Sequence, residues 1–254
     1  MDEEPMPGGA VRRVVRVGDT VRRTASASTP FTAELLTLLA SRGWPGAPRW
    51  LGVDDEGREV LGRLDGHVAW EPEPRQPAAV SADESLARVA GLVRELHDLT
   101  AGTDLAGGRD VVCHNDLAPR NTVYRPVGGA LRPVAFIDWD LAAPGERIHD
   151  VAHVCWQYLG LGPRTADVAD AARRMRLIAD GYGLPGRARG DLVETVLWWQ
   201  DRSRRGIEAG AAAGDPAMVR LRDTGATEHI RADQEWVAEQ RAELERALLR
   251  GSAG

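Results

Sequence analysis

Three segments of the chain carry residue types that could do chemistry together. His114-Asn115-Asp116 comes first, Asn121 follows five residues after the aspartate, and the run Ile137-Asp138-Trp139-Asp140 comes next. Asp116 offers a carboxylate that can accept a proton. Asn121 and Asp138 offer an amide oxygen and a carboxylate, both of the hard-oxygen kind that a divalent cation prefers. One proton acceptor with two such ligands is the inventory of a phosphoryl-transfer site.

These groups work only if the chain brings them together. Val111-Val112-Cys113 reads as a short buried strand that delivers a polar loop from His114 to Arg120. Thr122-Val123-Tyr124-Arg125 reads as a second strand, and a turn containing Pro126, Gly128 and Gly129 separates it from Val134-Ala135-Phe136-Ile137. The spacing predicts a hairpin. Antiparallel partners lie about 4.8 Å apart, so the start of one strand meets the end of the other and Asn121 falls beside Asp138.

Val112 through Pro119, Asn121, Ile137 through Asp140, and Ala143-Pro144-Gly145 followed by Asp150-Val151-Ala152 resemble the central block of the aminoglycoside phosphotransferase and choline kinase-like superfamily, relatives of the protein kinases. The resemblance implies an α+β, protein-kinase-like, two-lobed fold. A small antiparallel β-sheet lobe that binds nucleotide would span residues 1–66, and a mainly helical catalytic and substrate lobe residues 67–254. It also implies Asp116 as catalytic base and Asn121 and Asp138 as magnesium ligands. His114 would brace the loop, and Asp150, at a helix start, would tie that helix to it. The co-substrate would be ATP or GTP with Mg2+, and the acceptor a small hydroxylated molecule.

Every one of the 32 basic residues is arginine. Kinase-type enzymes hold nucleotide phosphates with a strand lysine that a helix acid orients, so this chain must do it otherwise. Val14 to Val17, the turn Gly18-Asp19, and Thr20 to Arg23 read as a hairpin, with a helix starting near Pro30. Strand alternation puts Val21 and Arg23 on one face and Arg22 on the other. If that face meets the nucleotide, Val21 touches the base and Arg23 replaces the lysine, with Arg22 as the rival. Arginine suits the task because its fork binds phosphate bidentately and stays charged. Glu34, the one acid between Phe31 and Ser41, is the expected partner. Gly8-Gly9 is the candidate for amides approaching phosphate. Arg49 to Val53 and Arg58 to Leu64 would form the lobe's last hairpin, with the nucleotide hinge starting at Leu61.

Composition frames the rest. The chain has 254 residues, 43% of them apolar, and a net charge of -6. That size buries a full core. The charge disfavours a nucleic-acid partner and suits a cationic substrate. No apolar stretch reaches the roughly 20 residues of a membrane span, the start lacks a signal peptide's pattern, and a cytoplasmic setting is expected. Cys113 and Cys155 sit in apolar runs as buried thiols. Ser81 to Glu84 has capping-box spacing before a helix whose face is Leu86, Val89, Val93, Leu96 and Thr100. Helices are expected near 148–159, 166–182, 191–208 and 227–249. Asp201, Glu208, Asp215 and Glu194 would line an amine-binding cleft beside Trp156, Trp198 and Trp199. Two other readings compete. His149 and His153, one turn apart, have the spacing of a zinc hydrolase site. The other keeps the kinase-like fold as a nucleotide binder that transfers nothing.

Overall fold

Alternating valines and a two-residue turn build the first hairpin. The strands β1 (Glu4–Pro5), β2 (Val14–Val17) and β3 (Thr20–Thr24) pair antiparallel, with Val14 opposite Arg23 and Val17 opposite Thr20. Gly18 makes the turn at φ +58°, where only glycine is unstrained. The computed structural model describes residues 3–6, 14–70 and 76–249. Within it the chain forms two units, Met1–Arg147 and Ile148–Gly254. The expected lobe boundary after residue 66 thus falls inside the first unit.

In the first unit, helix α1 (Thr29–Ser41) follows β3 and buries Leu35, Leu36 and Leu39. Strands β4 (Trp50–Val53) and β5 (Arg58–Gly62) complete a five-stranded antiparallel sheet in the order β1-β2-β3-β5-β4. The short strand β6 (His67–Val68) comes next, and then α2 (Asp83–Thr100). The capping box does not form. Ser81 ends a 3-10 turn, the N-cap is Ala82 with no side-chain hydrogen bond, and Asp83 and Glu84 sit in the first turn, where carboxylates favour the helix dipole. The predicted face of α2 is buried throughout. Its last residue, Thr100, accepts a hydrogen bond from the Val112 amide at 3.1 Å and donates to Leu96 O at 3.0 Å, fixing the helix end against β7 (Val111–Cys113).

Strands β8 (Thr122–Val127) and β9 (Ala130–Phe136) form the second hairpin, with β6 paired to the outer side of β8. Gly128 and Gly129 turn it at φ +60° and +81°, the left-handed pair of a tight hairpin turn. The strand runs through Pro126 and Val127, so the turn is shorter than the sequence suggested. β10 (Ala143–Gly145) returns antiparallel to β7.

The second unit is helical. It comprises α3 (Arg147–Leu159, entering from the first unit's last residue), α4 (Val168–Tyr182), the single turn α5 (Gly186–Arg189), α6 (Leu192–Ala212), α7 (Pro216–Asp223) and α8 (Ala226–Leu249). The four longer helices match the sequence reading. The shorter α5 and α7 lack a full apolar period and are unreadable by pattern alone. Asp167 and Asp215 cap α4 and α7 through their carboxylates. Val237, Leu244 and Leu248 of α8 are fully buried, as is Cys155, whose thiol is driven well above its ordinary range by burial.

Candidate active site

All the polar groups singled out between His114 and Asp140, together with Arg23, lie in the first unit. His114 follows directly on β7 and is fully buried, packed on Trp139 with ring centroids 4.5 Å apart. The Asp116 amide donates to its Nδ1 at 3.3 Å, and its Nε2 lies 3.1 Å from the Ile137 carbonyl oxygen. A nitrogen that accepts carries no proton, so the proton sits on Nε2 and donates to Ile137. The imidazole therefore pins the loop of Asp116 to the segment leading into Asp138.

Asn121 closes the 3-10 turn Pro119–Asn121 and is 2% exposed. Its Nδ2 donates to the Asp116 carbonyl at 2.7 Å and to Asp116 Oδ2 at 2.8 Å. Both amide hydrogens are thereby spent, which leaves Oδ1 as the end that can accept or ligate. Across the hairpin the Ile137 amide donates to Asn121 O at 2.9 Å, so Asp138 follows the residue opposite Asn121. Asp116 Oδ1 also meets Arg120 Nη2 at 2.8 Å.

Among the described residues, Asn115 and Asp138 are the non-glycine residues with positive φ, each at +64°. Asn and Asp tolerate that conformation best, yet it still costs energy, and such outliers gather at functional sites. Asn115 Nδ2 donates to Leu141 O at 2.9 Å. The two strained turns are thus tied together.

Arg23, 7% exposed, reaches this site from β3. Its Nε donates to Glu59 Oε2 at 2.5 Å, Nη1 to Asp138 Oδ1 at 3.2 Å, and Nη2 lies 2.6 Å from Asp140 Oδ1. Burial alone would lower its pKa. Asp140, Glu59 and Asp138 outweigh that and raise it, so the guanidinium is firmly charged. Arg22 points elsewhere, to Asp54 at 3.1 Å. The acid expected beside Arg23 was Glu34. Glu34 instead lies exposed on α1, and the cross-strand neighbour Glu59 takes its place. Val21 shares the face of Arg23 and pairs with Leu61 in the ladder. Leu61 is 8% exposed, and the amides of Gly62 and Arg63 are bonded to Arg49 O and Asp19 O. A base placed here could use the Leu61 side chain, while main-chain donors to it would come after Arg63. Gly8 and Gly9 lie outside the described residues.

Glu59, Asp140 and Arg120 were given no role by the sequence reading, although two had a signal. Glu59 sits in β5 at the same parity as buried Leu61, and an acid on the inner face of a strand calls for a partner. Asp140 lies two residues from Asp138 across a tryptophan, the spacing that lets both carboxylates serve one cation.

In the second unit, Asp150 is fully buried in the first turn of α3. The zinc spacing of His149 and His153 is used for packing. His149 stacks on Trp198 at 4.9 Å and His153 meets Trp199 edge-on at 4.9 Å. Three of the four acids expected to line an amine cleft are paired with arginines. Asp201 pairs with Arg204 and Arg205, Glu208 with Arg204, and Glu194 with Arg241. Asp215 caps α7. Arg202 lies 5.3 Å from the Trp198 ring and 5.6 Å from that of Trp199, occupying the faces offered to a cationic ligand.

Residues 101–205 match the model of the phosphotransferase enzyme family. The trifolitoxin immunity protein of Rhizobium leguminosarum bv. trifolii is 30% identical over 223 residues, covering 77% of this chain and 80% of that protein. The chain belongs to the phosphotransferase enzyme family. A choline/ethanolamine kinase family protein from Mesorhizobium loti superposes with TM-score 0.64 at 16% identity, covering 99% of this chain and 93% of its own. The GDP complex of aminoglycoside 2'-phosphotransferase-IIIa gives TM-score 0.58 at 13% identity, covering 96% and 93%. The fold is therefore protein-kinase-like, with the sheet order β1-β2-β3-β5-β4 and α1 inserted between β3 and β4. Membership of this family agrees with the resemblance carried by the central motif.

Proposed function

We propose that the protein transfers the terminal phosphoryl group of ATP or GTP to a hydroxyl of a small molecule, with the site around Asp116 as its catalytic centre. Asp116 takes the proton of the attacking hydroxyl as the new oxygen–phosphorus bond forms and the bond to the departing diphosphate breaks. Asn121 holds the Asp116 carboxylate through its amide. Its Oδ1 and the half-exposed carboxylate of Asp138 are the hard-oxygen pair that fits Mg2+. When bound there, the ion would offset charge on the phosphate oxygens. Arg23 supplies the cation that a lysine supplies in other kinases, and His114 keeps the Asp116 loop in register with Asp138.

The observation that carries this reading is the double use of the Asn121 amide on Asp116. It orients the base and, in the same stroke, leaves Oδ1 as the end of the amide that can ligate a cation. A non-catalytic protein has no need of that coupling. The other reading, a nucleotide binder that transfers nothing, draws on the pairing of Asp116 with Arg120 and of Asp138 with Arg23.

One assay separates the two. Nucleoside diphosphate release is followed across hydroxylated amines, sugars and antibiotics, with trifolitoxin included because the relative's name ties that protein to immunity against it. Asp116→Ala should lose at least about 10²-fold in turnover while binding nucleotide as before. Asp138→Ala should lose the magnesium-dependent part of nucleotide binding. Turnover that survives in Asp116→Ala contradicts the base. Wild-type protein that binds nucleotide yet turns over nothing in the panel favours the passive binder.

A further inference from the structure

Arg23 is bound by three acids, and their burial differs. The Glu59 side chain is 0% exposed, that of Asp140 23% and that of Asp138 49%. Each acid takes a different nitrogen of the guanidinium, and the contact to Asp138 is the longest of the three at 3.2 Å. Taking the reading of Arg23 as phosphate ligand as its base, we propose that Glu59 and Asp140 are the positioning residues of this clamp. Nη1, on Asp138, is the arm that exchanges onto phosphate.

Three features support this division. Arg23 and Glu59 are register partners on hydrogen-bonded strands β3 and β5. Their pairing is therefore set by the sheet itself and not by the placement of a helix. Glu59 is held in turn by a hydrogen bond from the Thr29 hydroxyl at the start of α1, so one carboxylate oxygen serves Thr29 and the other Arg23. Lastly, a lysine offers its three donors from one nitrogen, whereas the planar fork spreads them over three nitrogens in fixed directions, one for each acid here. The ion pair that other kinases make between strand and helix is here made within the sheet. Helix α1 contributes a hydroxyl to it, and its glutamate, Glu34, contributes nothing.

The test compares Glu59→Gln, Asp140→Asn, Arg23→Lys and Glu34→Gln. Binding of a fluorescent ATP or GTP analogue with Mg2+ is measured directly, KM and kcat are measured separately, and folding is checked by thermal melting. Glu59→Gln, which loses a charge-assisted hydrogen bond, and Asp140→Asn, which loses the carboxylate charge beside Nη2, should each weaken nucleotide binding by about tenfold or more. For Asp140→Asn the loss should fall mainly on KM. Arg23→Lys should not restore what the fork provides, and Glu34→Gln should bind within about twofold of wild type. Should Glu59→Gln fail to fold, Asp140→Asn decides, because its side chain is not sealed in the core. Wild-type affinity in Asp140→Asn, or a Glu34→Gln defect as large as that of Glu59→Gln, overturns the proposal. Absence of nucleotide binding in the wild-type protein is a different result, since it removes the phosphate-ligand reading itself.

Discussion

At the scale of single residues, His114 joins the two chemical segments. Its ring is buried, bonds main-chain groups at both nitrogens, and lies edge-on to Phe136 at 5.9 Å as well as against Trp139. Truncation removes aromatic volume and leaves the Ile137 carbonyl without its donor. His114→Ala should therefore cost about 2–4 kcal/mol of unfolding free energy, read from urea denaturation, and should lower turnover because Asp116 loses its anchor. A variant with wild-type stability would refute the bracing role. The hairpin that brings Asn121 near Asp138 was legible in the sequence because it is local, and the bracing role of His114 followed from the family resemblance, whereas the pairing of Asn121 with Asp116 was not foreseen. Nor were the partners of Arg23. Asp138 is 115 positions away in the chain and Glu59 is 36, and strand parity says which face a residue takes without saying which strand will lie beside it.

At the scale of elements, the turn between β4 and β5 is organised by one carboxylate. Asp54 accepts from the amides of Glu56 and Arg58 at 3.1 and 2.9 Å and from the side chains of Arg58 and Arg22 at 2.9 and 3.1 Å. Desolvation would raise its pKa. The hydrogen bonds, chiefly those from the Arg58 main chain and side chain, outweigh it and hold the group below its ordinary value. A depressed folded-state pKa stabilises the protein above the unfolded value, about 3.9 for aspartate. That stabilisation disappears as pH falls through the lower folded value. Asp54→Asn should thus melt below wild type at neutral pH, with the gap narrowing below about pH 4. An equal gap at both ends of the range would show that the carboxylate's charge is immaterial. The hairpin itself was readable from Asp54-Asp55-Glu56-Gly57 as a turn between apolar runs. Strand parity already puts Arg22 on the face away from Arg23, and its anchoring there by Asp54 is a cross-strand contact that no local pattern carries.

At the scale of the whole molecule, the absence of lysine joins composition to mechanism. With 32 arginines and 38 acids, each cationic task in the chain falls to a guanidinium, and many arginines are committed to acids within their own helix or turn, as on α6 and at Asp54. Arg23 differs in being buried among three carboxylates, one of which is half exposed. A nucleotide site that relied on an amine would be lost to acylation. Here exhaustive treatment with an amine-acylating reagent should leave binding of a fluorescent nucleotide unchanged, because there is no side-chain amine to modify. Nucleotide probes that transfer an acyl group to lysine should leave the site unlabelled for the same reason. An arginine-directed dicarbonyl should abolish binding, and saturating Mg2+-nucleotide should slow that loss by covering Nη1. Loss of binding after acylation would mean that the phosphates are not held by guanidinium groups. Insensitivity to the dicarbonyl would not rescue the alternative, since Arg23 is only 7% exposed. The protection experiment is for that reason run on Arg23→Lys as well. That variant restores an amine at the clamp and should become the one form of the protein that an acylating nucleotide probe labels.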